Sequence, residues 1–148
     1  MTTVLPERPV VAEPGKVRTW LRRIWGGGQI VESCPSWCTD HHRNDSDGAL
    51  VDLCHGRDFD AIMLPVFDAQ EGTLEMPVLS ARIVVDPYDD RQERRMPHVV
   101  LEPWQDEVME CLNPDQFAAV IAQVRAHCDE LDKVHAALIT ARQEATSL

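Results

Sequence analysis

The longest regular pattern of apolar positions lies in the last third of the chain. Phe117, Ile121, Val124, Cys128, Leu131, His135 and Leu138 recur at alternating steps of four and three. That is the heptad-like stripe of a helix that pairs along its length. Four signals mark its start. Asn113 is a strong N-cap, and Pro114 takes the first helical position, where a missing N–H costs nothing. Gln116 completes a capping box, and Leu112 with Phe117 supplies a hydrophobic staple. The pattern predicts a helix from 113 to about 145, roughly 45–50 Å long at 1.5 Å per residue. A small sheet cannot cover that length. The first half is expected to pack on the sheet. The second half, through Cys128, Leu131, His135 and Leu138, is expected to meet the same helix of another copy, giving a homodimer.

Ahead of the helix the apolar period changes to two. Residues 60–67 form one β-rich run. Thr73 to Val85 forms a second, with Leu74, Met76 and Val78 in one phase and Ala81, Ile83 and Val85 in the other. The phase slips near Leu79, where a bulge is expected. His98 to Glu102 forms a third run, and Asp86-Pro87-Tyr88-Asp89-Asp90 reads as the turn of an antiparallel hairpin joining it to the second. His98 itself reads as a partly buried strand histidine, far in sequence from any other ligand type. Nearer the start, Val17, Trp20, Leu21 and Ile24 sit at i, i+3, i+4 and i+7. On a helix they share one face, with arginines on the others; a strand or helix packed on the domain is the plainer alternative. Pro6, Pro9, Pro14 and Gly15 punctuate the residues before this segment, and Gly26-Gly27-Gly28 ends it. Residues 1–32 therefore read as a flexible basic arm with a short amphipathic segment and a glycine hinge. Residues 33–148 read as an α+β domain: a zinc-stabilised loop, a small antiparallel sheet and one long C-terminal helix.

Charge sharpens that division. The chain has 148 residues and a formal net charge of -11. The first 32 residues carry five basic and three acidic side chains, so the whole excess of acid lies beyond them. An acidic body repels a phosphate backbone, which leaves the arm as the only segment suited to nucleic acid. Trp20, Arg22, Arg23 and Trp25 are its candidate partner-binding residues. No apolar run approaches the roughly 18–20 residues needed to span a bilayer, and no signal-peptide core opens the chain. A cytoplasmic location is the expectation. Aromatic residues are only 5%, so the core is expected to be aliphatic and thin, of the kind that a metal often staples.

The candidate chemistry is concentrated between Cys34 and Gly56, CPSWCTDHHRNDSDGALVDLCHG, with three of the five cysteines and three of the six histidines. In a reducing compartment, cysteines at such density are ligands more readily than disulfides. Zinc takes four thiolate or imidazole ligands in a tetrahedron, commonly as two close groups bridged by a loop. Cys34 and Cys38 open the pattern around Pro35-Ser36-Trp37. The preferred set is Cys34, Cys38, His42 and His55, with His41 as the alternate to His42 and Cys54 the alternate to His55. One residue is drawn from each doublet because successive side chains in a strand point apart. Asn44-Asp45-Ser46-Asp47 and Gly48 are expected to turn the loop back. The HExxH helix of a metalloprotease and the HxE…PCxxC pattern of a zinc deaminase are missing. A P-loop, a dinucleotide fingerprint and a GxSxG elbow are also missing.

Cys34-Pro35-Ser36-Trp37-Cys38-Thr39, an Asp-His step, and His55-Gly56 resemble the N-terminal signature of a family of small actinobacterial domains of uncharacterised function. The resemblance covers roughly residues 33–140. It implies a few strands after the signature, an alanine-rich helix opened by an Asn-Pro or Thr-Pro step, and a zinc site without a known activity. The expected function is a non-enzymatic, zinc-stabilised protein-interaction or regulatory module. The alternatives are a nucleic-acid-associated regulator working through the arm and a metal-dependent hydrolase.

Overall fold

A computed structural model describes residues 4–42, 48–68 and 72–146. The expected turn at Asn44–Asp47 lies outside the described residues. The chain is α+β, with small antiparallel sheets and one long C-terminal helix. It falls into two compact units divided between Leu112 and Asn113.

Among the described residues the first unit carries eight strands. A two-stranded hairpin joins β1 (Arg18–Ile24) to β2 (Gly28–Cys34). A four-stranded antiparallel sheet has the order β3-β6-β7-β8, from β3 (His55–Phe59), β6 (Ser80–Val85), β7 (His98–Trp104) and β8 (Glu107–Leu112). A second hairpin pairs β4 (Ile62–Asp68) with β5 (Gly72–Val78). A short helix, α1 (Gln92–Arg95), lies between β6 and β7. The aliphatic core is thin: Leu53, Val78, Val84, Val85 and Leu101 are its buried members.

Two expectations change here. The segment before the metal loop is the packed strand of the plainer alternative, not an amphipathic helix on an arm. Pairing with β2 makes it a strand, and the alternation in β1 buries Arg18, Trp20 and Arg22 on one face. Leu21 N donates to Pro6 O at 2.9 Å, which ties the residues before the hairpin to its edge. The three glycines are a turn rather than a hinge. Gly27 N donates to Ile24 O at 3.2 Å, and Gly26 and Gly27 take φ of 96° and 92°. A Cβ is strained in that region of backbone space. The division expected at residue 32 therefore moves to residue 112.

The run from Thr73 to Val85 also divides. Leu79 has φ 56° and separates β5 from β6. What read as a bulge is a corner at which the chain leaves one sheet for another, held by Leu79 N donating to Pro103 O. The expected pairing of the following strand holds, since β6 and β7 are antiparallel with Ile83 opposite Val99.

The second unit is α2 (Pro114–Thr146). Its capping box forms as expected: Gln116 N donates to Asn113 Oδ1 at 2.9 Å, and Asn113 N donates to Gln116 Oε1 at 3.0 Å. Among the described residues no helix is long and apolar enough to cross a membrane.

Candidate metal centre

Three elements, β2, the loop after it and β3, bring four donors together. Cys34 ends β2. Pro35 then opens a tight turn, closed by Cys38 N donating to Pro35 O at 3.1 Å, which returns Cys38 to the same side. His42 follows with φ 51°, in the left-handed region. His55 is the first residue of β3, opposite Val85. Thr39 N donates to Gly56 O at 2.9 Å and laces the loop to that strand.

The donor atoms of Cys34, Cys38, His42 and His55 lie within 4.8 Å of one another, and all four residues are buried. His42 Nε2 is 3.4 Å from His55 Nδ1, 3.5 Å from Cys38 Sγ and 3.7 Å from Cys34 Sγ. Metal–nitrogen bonds of about 2.05 Å and metal–sulfur bonds of about 2.3 Å give tetrahedral edges of about 3.4 Å for N···N and about 3.6 Å for N···S. The three distances from His42 match those edges, and the four donor atoms together lie within 4.8 Å, so the cluster suits a tetrahedral ion. His41 is exposed and Cys54 half-buried; both stand outside the four. His98 is buried in β7 with Nδ1 2.9 Å from Met96 O, away from the cluster.

The electrostatics suit a cation. The two sulfurs share a hydrogen bond that holds the Cys38 thiol well below the usual thiol range and pushes that of Cys34 up; burial adds to the upward push on Cys34.

Around the donors lies a layer of charge that the sequence reading missed. Arg18 Nη2 donates to Cys34 Sγ at 3.0 Å, to Cys38 Sγ at 3.6 Å and to Cys38 O at 3.3 Å. Arg22 Nη1 donates to Glu32 Oε2 at 3.2 Å, with both side chains buried. Trp20 packs beside them, its ring 5.4 Å from that of His42. Trp20 and Arg22 are therefore interior residues, not the partner surface expected of them. Arginine reads as a solvent residue, but here the neighbouring strand supplies its counter-charges: Cys34 directly opposite Arg18, and Glu32 diagonal to Arg22. The signal was present: Arg18, Trp20 and Arg22 alternate at period two, and Glu32 and Cys34 answer at the same period on the next strand. Arg23 and Trp25 are exposed, as are Cys128, Leu131, His135 and Leu138 on α2.

Gly56 has a separate reason to follow His55. A Cβ there would lie 2.1 Å from Arg82 Nη2 and 2.4 Å from Cζ. Arg82 bridges Asp58 in β3, at 2.7 and 2.8 Å, to Asp40 in the metal loop, at 2.6 Å. A larger residue at 56 displaces the guanidinium and loosens its bridge between the two carboxylates.

A family described as a domain of unknown function (DUF6907) matches residues 16–140. No curated protein and no solved structure matches the chain.

Proposed function

The chain belongs to that family of unknown function, and from the geometry of its buried cluster we propose that it is a non-enzymatic, zinc-stabilised protein-interaction module. The observation that carries this reading is the closure of the site: four protein donors within 4.8 Å of one another, each less than a tenth exposed. A catalytic zinc keeps a position open for water. Cys34, Cys38, His42 and His55 would fill all four, and the two-thiolate, two-imidazole set favours zinc over harder ions. When bound, the ion supplies structural cross-linking of β2, the following loop and β3. Elemental analysis of the purified chain is expected to give about one zinc per chain, and Cys34→Ser is expected to abolish it. A metal-free chain that folds normally would refute the reading.

The interaction surface in this reading is the second half of α2. Leu131, Val134 and Leu138 are 51%, 62% and 55% exposed on one helical stripe. The stripe Phe117, Ile121, Val124, Cys128, Leu131, His135 and Leu138 keeps the alternating spacing of a helix-pairing seam, with Val134 beside it. A seam of this kind fits the same helix in a second copy. Light scattering on the zinc-loaded chain is expected to return twice the chain mass, and Leu131→Asp with Leu138→Asp to return one. Equal masses for the two proteins would count against self-association through α2. Binding of nucleic acid through the β1 segment is disfavoured, because Arg18 and Arg22 are buried and already paired.

A further inference from the structure

Glu32 is 3% exposed, and among the described residues its Oε1 has no hydrogen-bond partner although its Oε2 accepts from Arg22. Unpartnered buried carboxylate oxygens are costly and call for an explanation. Oε1 faces His55 Nε2 at 3.7 Å, while the other ring nitrogen, Nδ1, faces His42 Nε2 inside the cluster. A shortening of about 0.8 Å makes the first contact a hydrogen bond. The neutral imidazole carries one N–H, and a partner on one nitrogen leaves the other free to ligate.

We propose that Glu32 is a positioning residue of the metal centre, holding the His55 proton on Nε2 so that Nδ1 is the ligating nitrogen. The proposal rests on the metal-site reading above. Arg22 is the third member of the relay. It occupies Oε2, so Glu32 presents Oε1 to the histidine, and it balances a carboxylate that has no access to water. Trp20, paired with Glu32 across the hairpin, stands against the His42 ring. One cross-strand pair therefore supports both histidine ligands: a carboxylate behind His55 and an indole against His42. Both supports come from β1 and β2, which contribute only Cys34 to the donor set itself.

The direct test needs no substitution. Nitrogen-15 spectra of the zinc-loaded wild-type chain are expected to show His55 protonated at Nε2 with Nδ1 bound to metal, and His42 bound through Nε2. Ligation of His55 through Nε2 would overturn the proposal. A second arm measures zinc affinity by chelator competition. Glu32→Gln is expected to weaken zinc by about 10- to 100-fold, the usual cost of losing an outer partner of a ligating histidine. The double variant Arg22→Met/Glu32→Gln removes both charges together, so an unpaired Arg22 cannot be the cause of any loss; the same weakening is expected of it. Unchanged affinity in the double variant would also overturn the proposal. The two readings fail differently. A wild-type chain that takes up no zinc defeats the metal site, whereas tight wild-type binding with an unaffected double variant defeats only the role of Glu32.

Discussion

Chelating the zinc from the loaded chain is expected to unfold the unit that ends at Leu112, leaving a reduced helical signal from α2. The reason is the balance of terms in a thin core. Leu53, Val78, Val84, Val85 and Leu101 are the buried aliphatic residues, and Leu53 and Cys34 are the largest side chains under 2% exposed. Against this stand two buried arginines, a buried glutamate and two buried cluster histidines, all needing partners. Structural zinc contributes on the order of 10–16 kcal/mol in small metal-folded peptides. A whole domain is ordinarily stable by only about 5–15 kcal/mol. Removing the ion therefore costs as much as the unit has. A chelator titration followed by circular dichroism and metal analysis is the check, with strand signal and zinc lost together. A metal-free chain that still melts cooperatively at the same temperature would show that the sheets stand without the cluster.

The parts of this fold that were legible in the sequence are those fixed by neighbours in the chain. The start of α2 is written in Asn113, Pro114 and Gln116, and both capping-box bonds form between those local residues. Cys34 and Cys38 are likewise local, because Pro35 sets the turn that brings them to one side. What the sequence left open depends on distant pairing. The choice of His42 over His41 rests on a left-handed backbone at His42, and that of His55 over Cys54 on where β3 begins. The corner at Leu79 looked like a one-residue slip, because nothing nearby says that β5 and β6 belong to different sheets. The largest misreading, of the first thirty residues, came from treating arginine as a solvent residue. Glu32 and the two sulfurs neutralise Arg22 and Arg18 only once the hairpin closes. Burial of a charge follows its partners rather than its own polarity.

That same hairpin gives the sharpest contrast between two residues of one type. Trp20→Ala is expected to destabilise the zinc-loaded chain by about 3–5 kcal/mol, the range for deleting a buried large aromatic side chain. Trp25→Ala is expected to change stability by less than about 0.5 kcal/mol, as for surface positions without special contacts. The two stand five residues apart in one hairpin. Trp20 is 2% exposed and packs with Cys34, Cys38 and the half-buried Trp37, its ring tilted 34° to the His42 imidazole. Its loss opens a cavity against two sulfur donors and removes the surface that holds a third. Trp25 is 82% exposed at the turn and holds its place through the main chain, with its N donating to Gly48 O at 3.1 Å. A substitution of its side chain leaves that bond intact. Urea unfolding at fixed free zinc separates the two, because a lower midpoint at unchanged slope reads stability alone. Zinc affinity of Trp20→Ala is expected to fall along with the midpoint, since binding and folding are one equilibrium in such a site. Equal losses at Trp20 and Trp25 would mean that the indole inside the cluster contributes no more than the one outside it, and would remove the packing account of the metal centre.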